Sequence, residues 1–507
     1  MRERCLFAIL VLLVLSLPES PAHAGGIVTV CDEAHLLTAL TGGGTVTFAC
    51  SGTITLAAEI VISADTTIDG SGQTVTISGN HVTRVFAVNP GRALTLNELT
   101  VADGDGDNYG GGIYNKNGIL TVSNSIIASN SASVGGGIRS DFGTVNVRTS
   151  TFSDNSAELG GGIAIIYSTA NVTNSTFFNN NAVSADGGGI LNYGGVVDVN
   201  NSTFSGNHGG WGGGWGGGLH NYQGTLIISN STIFENSAGW GGGLSNYVGT
   251  LTINKSTIFE NSAGQGGGIR NYGELNVSDS AFSSNNAGSG GGIYNDSYSG
   301  SGSIANVTNS TFARNRATGD GAGGGIFNGD TLIVANSTFS GNTADHGSGG
   351  GIFTGSYGDA GVSTITNSTF SGNAASAANG IFLNTGTATL KNTIVANRQS
   401  GNNCHGAIND GGGNLSYPDA TCPGINGNPL LSPLQDNGGP TTTMALGRGS
   451  AAIDAGIDAI CAAEPVSNLD QRGIVRPQGS HCDIGAVEQE PFPVLPPRLW
   501  LPSVHMQ

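Results

Sequence analysis

The chain is poor in charge: Asp, Glu, Lys and Arg together make up only 10% of its 507 residues. Basic residues are the scarcest, 17 against 35 acidic ones for a net charge of -18 at pH 7, and they form no run anywhere. Nucleic acid and anionic membrane surfaces, which recruit clustered Lys and Arg, are poor partners for such a chain, and no nucleic acid is expected. Beyond the first 24 residues no stretch approaches the about 18 uninterrupted apolar residues of a membrane-spanning helix, so no transmembrane span is expected. No C-x-x-C spacing points to zinc. Glycine is abundant but follows no G-X-Y period, which excludes collagen, and 37% apolar residues are too many for a disordered chain.

What is present begins with a leader. Arg2 and Arg4 precede an apolar run from Cys5 to Leu17, and Ala22-His23-Ala24 supplies the small residues of an A-x-A cleavage site, so residues 1–24 read as a secretory signal peptide. Export makes disulfides chemically reasonable. Removing Cys5 with the leader leaves six cysteines, for which 15 connectivities exist. The sequential pairing Cys31–Cys50, Cys404–Cys422 and Cys461–Cys482 follows because each pair sits inside one compact segment.

The 86 glycines are organised by a repeat. The tripeptide GGG, followed by Ile or Leu, places an aliphatic residue at Ile113, Ile138, Ile163, Ile190, Leu219, Leu244, Ile269, Ile293, Ile326 and Ile352, with Ile381 in a degenerate eleventh copy. A second column, the fourth residue of an NSTF-like block, runs from Ile127 and Phe152 through Phe204 and Phe370 to Ile394. Five residues before each member stands Val or Ile, from Val122 to Ile365, until Thr389 breaks the pattern. Local alternation is period two, as in Leu226-x-Ile228, and Gly or Asn clusters punctuate the runs, so these are short strands. A unit of about 25 residues cannot close a core, but units stacked at roughly 4.8 Å bury each column against its copies. The expected fold is all-β: a parallel β-helix of about eleven repeats over residues 101–397, right-handed by the usual crossover preference, and about 50 Å long before its N-terminal coils are added. Residues 25–100 then form an N-terminal cap with the first coils, 398–490 a C-terminal cap, and 491–507 a proline-rich tail.

Three residues past each NSTF-type position stands Asn without exception, from Asn130 to Asn397. It is read as scaffold: Asn tolerates a left-handed corner and its amide forms a ladder with the next coil.

The repeat GGGIxNxGxLxVxNSTFSGNxA resembles the right-handed β-helix repeats of pectate-lyase-like and polymorphic outer-membrane-type surface proteins. TVTFACSGTITL (45–56) and TTIDGSGQTVTISG (66–79) are similar to the opening of such proteins. DNGGPTTTMAL (436–446), GSAAIDAG (449–456) and DQRGIVRPQGSHCDIGAVE (470–488) resemble the C-terminal module of bacterial choice-of-anchor Q proteins. The resemblance implies a bacterial exported protein displayed at or beyond the cell surface, and it brings no catalytic residues. The chain ends instead in PFPVLPPRLWLPSVHMQ, without a span or basic stop.

Few residues invite chemistry. Asp103, Asp105 and Asp107 have the alternating spacing of a calcium loop, but its twelfth position is Tyr114 instead of Glu, and a solvated acidic turn is the alternative. Arg139 and Arg270 follow the aliphatic position and are expected outside as surface charges; His208 and His220, near Trp211 and Trp215, lack a nucleophile. Asp470, Arg472, Arg476, Asp483 and Glu488 read as a salt-bridge network closing the end of the helix.

The aromatics carry the positive expectation. Tyr193, Tyr222, Tyr247 and Tyr272 lie three residues after the aliphatic position in four consecutive coils, and Trp215 and Trp240 four residues before theirs. Alternation puts them on the outer surface as a flat strip suited to sugar faces or to a surface protein. Simple cross-strand stacking is the competing explanation. The sequence therefore points to an adhesion or binding scaffold, with a polysaccharide lyase or glycoside hydrolase, or a structural envelope component, as the alternatives.

Overall fold

The computed structural model describes residues 25–184, 186–210, 213–297, 302–356, 360–397 and 401–491. The leader, Trp211 and residues 492–507 of the tail lie outside the described residues. The chain winds into a parallel β-helix. One coil reads Leu219–Tyr222, Thr225–Ser229, Thr232–Phe234 and Ser237–Trp240, then enters the next coil at Leu244–Asn254. Every run pairs in parallel with its counterpart one coil on. The first two runs build a 28-stranded sheet, the third a 16-stranded sheet and the fourth a 10-stranded sheet. The sequence predicts three strands per repeat; the fourth escapes because its inward side chain is only alanine, as at Ala157, Ala182, Ala287 and Ala344. Gly52–Thr55, Val75–Ser78 and Thr100–Ala102 precede the eleven repeats in the 16-stranded sheet, for about 14 turns, and Leu415–Tyr417 and Ile425–Asn426 continue it.

The three apolar columns face inward and are buried in register. The last coil corrects the sequence alignment. Val395, not Ile394, pairs with Phe370, and Leu390, not Thr389, pairs with Ile365, so neither column is interrupted. Ile394 faces away from the core and packs with Leu415, Leu446, Ala452 and Ile484.

The asparagine column is an internal ladder. Asn207 Nδ2 donates to Asn236 Oδ1 at 2.9 Å, and the same bond repeats from Asn130 to Asn373, ending on Asn397 and Asn403. From Asn130 to Asn373 the left-handed corner belongs to the residue before the ladder Asn, such as Asn179 or Glu235, rather than to the ladder Asn itself. A second ladder, two residues past the aliphatic position, links Asn192, Asn221, Asn246, Asn271, Asn295 and Asn328 at 2.7–2.8 Å. The GGG corner is required at both levels. Gly241 sits at φ +67, and a Cβ on Gly242 would lie 2.5 Å from the Ser262 carbonyl oxygen of the next coil.

Residues 404–426 continue the stack past the last coil, and the C-terminal module follows them. It runs back along one flank, where Gln471 Nε2 donates to Thr311 Oγ1 (2.8 Å), Thr338 Oγ1 donates to Gln471 Oε1 (2.6 Å), and Ala486 N donates to Thr369 Oγ1 (3.0 Å). Its buried pairs, Arg476–Glu488 (3.1 Å) and Arg472–Asp470 (2.7 Å), hold this strap together. Cys31–Cys50, Cys404–Cys422 and Cys461–Cys482 are bonded. Among the described residues no helix is long and apolar enough to cross a membrane.

Candidate functional site

Three outward columns converge where the fourth run turns through GGG into the first. They lie four residues before, one after and three after the aliphatic position, and their side chains touch across coils. Arg270, one after, has its guanidinium 4.3 Å from the Trp215 ring and 4.4 Å from the Trp240 ring, both from the column four before, and 4.3 Å from Tyr272, three after. Over the small Ser245, Trp215 reaches the Tyr247 ring edge-on at 5.3 Å. The middle column is thus the floor of a trough along the axis, and the outer two are its walls.

Trp215, Trp240 and Arg270 fill the trough in the central coils. In the coils before them it opens into a cavity of about 450 Å³ lined by Val134, Leu159, Ile166, Leu191, Tyr193 and Tyr222, with Arg139, Asp186 and His220 as its polar groups. Beyond the tyrosine wall lies a second groove of about 490 Å³, where the corners Gly194, Gly224, Gly249 and Gly273 leave the surface bare.

The electrostatics of the cavity are uneven. Asp186 Oδ1 accepts the Trp215 amide at 3.0 Å, and its Oδ2 lies 3.9 Å from His220 Nε2. Burial pushes the Asp186 carboxyl up to about 6 and the His220 imidazole down to about 3, so His220 is neutral and offers no counter-charge. Arg139 is already engaged, its Nε 2.8 Å from Asp141 Oδ1 and its guanidinium 3.8 Å from the Tyr109 ring. Arg270, expected on the surface, is 6% exposed and caged by rings; burial lowers its pKa, and its Nη2 donates to the Tyr272 hydroxyl.

The predicted strip is part of something longer, and it is neither flat nor fully exposed. Tyr193, Tyr222 and Tyr247 are half-buried and stacked at 4.8 and 5.2 Å, whereas Tyr272 is buried and turned edge-on at 6.2 Å. Toward the N-terminus the contacts continue to Tyr167 (5.4 Å) and Phe142 (5.6 Å), and toward the C-terminus through Tyr294, Phe327, Phe353 and Phe382 to His405. Eleven rings form a diagonal rail over ten coil steps, about 48 Å. The sequence reading missed both ends because it followed a single column, while the rail crosses three. Phe142 and Tyr167 lie one residue beyond the tyrosine column, and Tyr294 to His405 sit in the Arg270 column.

The other singled-out residues do not join this site. Asp103 Oδ2 accepts from Ser78 Oγ (3.1 Å) and Asp105 Oδ1 from the Asp107 amide (3.2 Å), a turn arrangement; among the described residues no group of three or more His, Cys, Asp or Glu is placed to hold a metal ion. His208 Nδ1 bonds Ser237 Oγ at 2.9 Å.

The family model for the Chlamydia polymorphic membrane protein (Chlamydia_PMP) repeat matches residues 336–355. No curated protein matches the chain. Among solved structures, one titled "Crystal structure of pectate lyase Pel9A" aligns at 13% identity over 88% of each chain, with a TM-score of 0.24. The chain is a parallel β-helix protein containing a segment similar to the polymorphic membrane protein repeat.

Proposed function

We propose that this chain is an exported bacterial surface protein that binds an extended glycan along its aromatic rail. The observation that carries this reading is the backbone under the rail's open end. Phe142 and Tyr167 are 65% and 52% exposed and sit at φ 56 and 48, in the left-handed region. That conformation costs a bulky residue roughly 1–2 kcal/mol and suits Gly or Asn; the equivalent position is Asn117 and Gly194 in the flanking coils and Gln223 and Val248 in the two after those. Phe142 and Tyr167 stack on each other at 5.6 Å, so their contribution to the fold is that one contact, while their exposed edges continue the rail as an apolar ridge that suits the apolar faces of successive sugar rings.

The test separates binding from stability. In the double variant Phe142→Asn, Tyr167→Asn the melting temperature should be unchanged or higher, while retention on a polysaccharide panel falls. Retention equal to the parent on every glycan the parent binds, or no glycan bound by the parent, removes the reading.

A second reading, a polysaccharide-cleaving enzyme, is favoured by one observation, a carboxyl near pKa 6 in a cavity beside the rail. Bond cleavage in the same panel, abolished in Asp186→Asn with retention intact, would replace the first reading with the second.

A further inference from the structure

We infer that the open part of the trough is a subsite for an ammonium group, and that the glycan taken by this face is an amino sugar polymer with free amines. The inference rests on the glycan reading above for its polymer, but on different residues for its chemistry.

Asp186 is the uncompensated charge of the cavity. Its hydrogen-bond donor is the neutral Trp215 amide, and the nearest imidazole is held uncharged by burial. The two cations of the trough are committed elsewhere, Arg139 to Asp141 and Arg270 to its cage of rings. A carboxylate in an apolar pocket without a counter-ion is costly unless a ligand supplies one. The walls select among cations: Tyr193 and Tyr222 present aromatic rings beside the carboxylate, a surround that favours an organic ammonium. The same two rings belong to the rail, so a sugar held along their edges lies beside the cavity that contains Asp186. His220, 2% exposed, forms the floor beside the carboxyl, its Nε2 3.9 Å from Asp186 Oδ2. The floor from Arg139 to His220 spans three coil steps, about 14 Å, room for a short run of sugar rings.

The experiment uses the secreted full chain, titrated by calorimetry with monomeric D-glucosamine and passed over matched glucosamine, N-acetylglucosamine and glucose oligomers. The expected result is at least tenfold tighter binding of the free amine than of either neutral series. Asp186→Asn should abolish that preference while leaving the fold intact, since it removes a half-buried charge and keeps an oxygen to accept the Trp215 amide. Asp198→Asn, which removes one exposed carboxylate from the neighbouring strand, should keep it, because general attraction to a chain of charge -18 is not the cause. Equal binding of the amine and the neutral series overturns the inference, as does a preference that survives Asp186→Asn or is lost equally in Asp198→Asn. The two readings fail separately: neutral oligomers retained without amine preference leave the rail and sink the subsite. Asp186-dependent binding of the monomer without polymer retention does the reverse, and no binding of any probe sinks both.

Discussion

Replacing Asn207 by Ala tests the internal ladder where it is most fully embedded. Asn207 Oδ1 accepts from the Asn180 amide (3.0 Å) and from Asn180 Nδ2 (2.9 Å), while its Nδ2 donates to Phe177 O (2.9 Å) and Asn236 Oδ1 (2.9 Å). All these groups are buried. Truncation leaves two donors of Asn180 without this acceptor and removes the side-chain donor to Phe177 O, at about 1–3 kcal/mol for each orphaned group; the expected loss is about 3–5 kcal/mol. That is a large fraction of a typical domain's stability. Asn207→Asp should be worse, because it restores the acceptor but aims a carboxylate at two oxygens. Asn200→Ala, on the exposed side of the adjacent run, is the control and should stay within about 0.5 kcal/mol. Guanidinium unfolding gives the loss, and hydrogen exchange shows whether it is confined to neighbouring coils, as expected for a solenoid whose units contact only their neighbours. If Asn207→Ala shifts the midpoint no more than Asn200→Ala, the ladder does not stabilise the coil stack.

Further outcomes are open to measurement. Phe204→Asp puts a carboxylate in a column that is 0% exposed and should abolish secretion or cost more than about 4 kcal/mol; normal accumulation and melting would show that the column does not face the core. Non-reducing peptide mapping should recover the three sequential disulfides, and Cys461→Ser with Cys482→Ser should expose residues 458–488 to protease while the coils stay resistant, because that bond closes a loop of about 20 residues worth about 3 kcal/mol. Asp186 and His220 give stability opposite pH slopes. The raised carboxyl pKa destabilises the fold as pH rises from about 4 to 6, and the depressed imidazole destabilises it as pH falls from about 6.5 toward 3. Asp186→Asn should therefore raise stability at pH 7 by at most about 3 kcal/mol and by less than about 1 kcal/mol at pH 4, and a thermal scan at both values decides it.

The solenoid was legible because its core is written in large apolar side chains at near-fixed intervals, and a column of Phe and Ile with a period of about 25 has few other solutions. Reading failed where the interval changed or the side chain was small. The one-residue slip at Val395 made Ile394 look like core, since a buried outward residue under the C-terminal strap has the same chemistry as a buried inward one. The alanine run was invisible for lack of apolar signal. At the candidate site, the tyrosine column was readable by spacing, but Arg270 was not. An Arg after an inward aliphatic looks solvent-facing until the Trp residues of two earlier corners fold across it. Asp186 carries no sequence signal beyond standing four residues before Ile190, the position that Trp215 and Trp240 take in the next two coils.

That shared position is where an otherwise repetitive molecule departs from its repeat. A solenoid's stacking rule acts on every coil alike, so inward columns stay nearly uniform from end to end, as the Phe/Ile column and the first Asn ladder do. Outward columns are released from that rule and vary freely, which makes order among them informative. Here the column four before the aliphatic runs Val134, Leu159, Asp186, Trp215 and Trp240, changing from an open apolar wall to a carboxyl and then to a filled corner within five coils. The opposite wall places Tyr193 and Tyr222 beside the carboxyl and extends to Tyr167 and Phe142 at a backbone conformation that disfavours them. Stacking alone gives no reason for a carboxyl without a charged partner next to the rings. A ligand that lies on the rings and donates to the acid accounts for both with one cause.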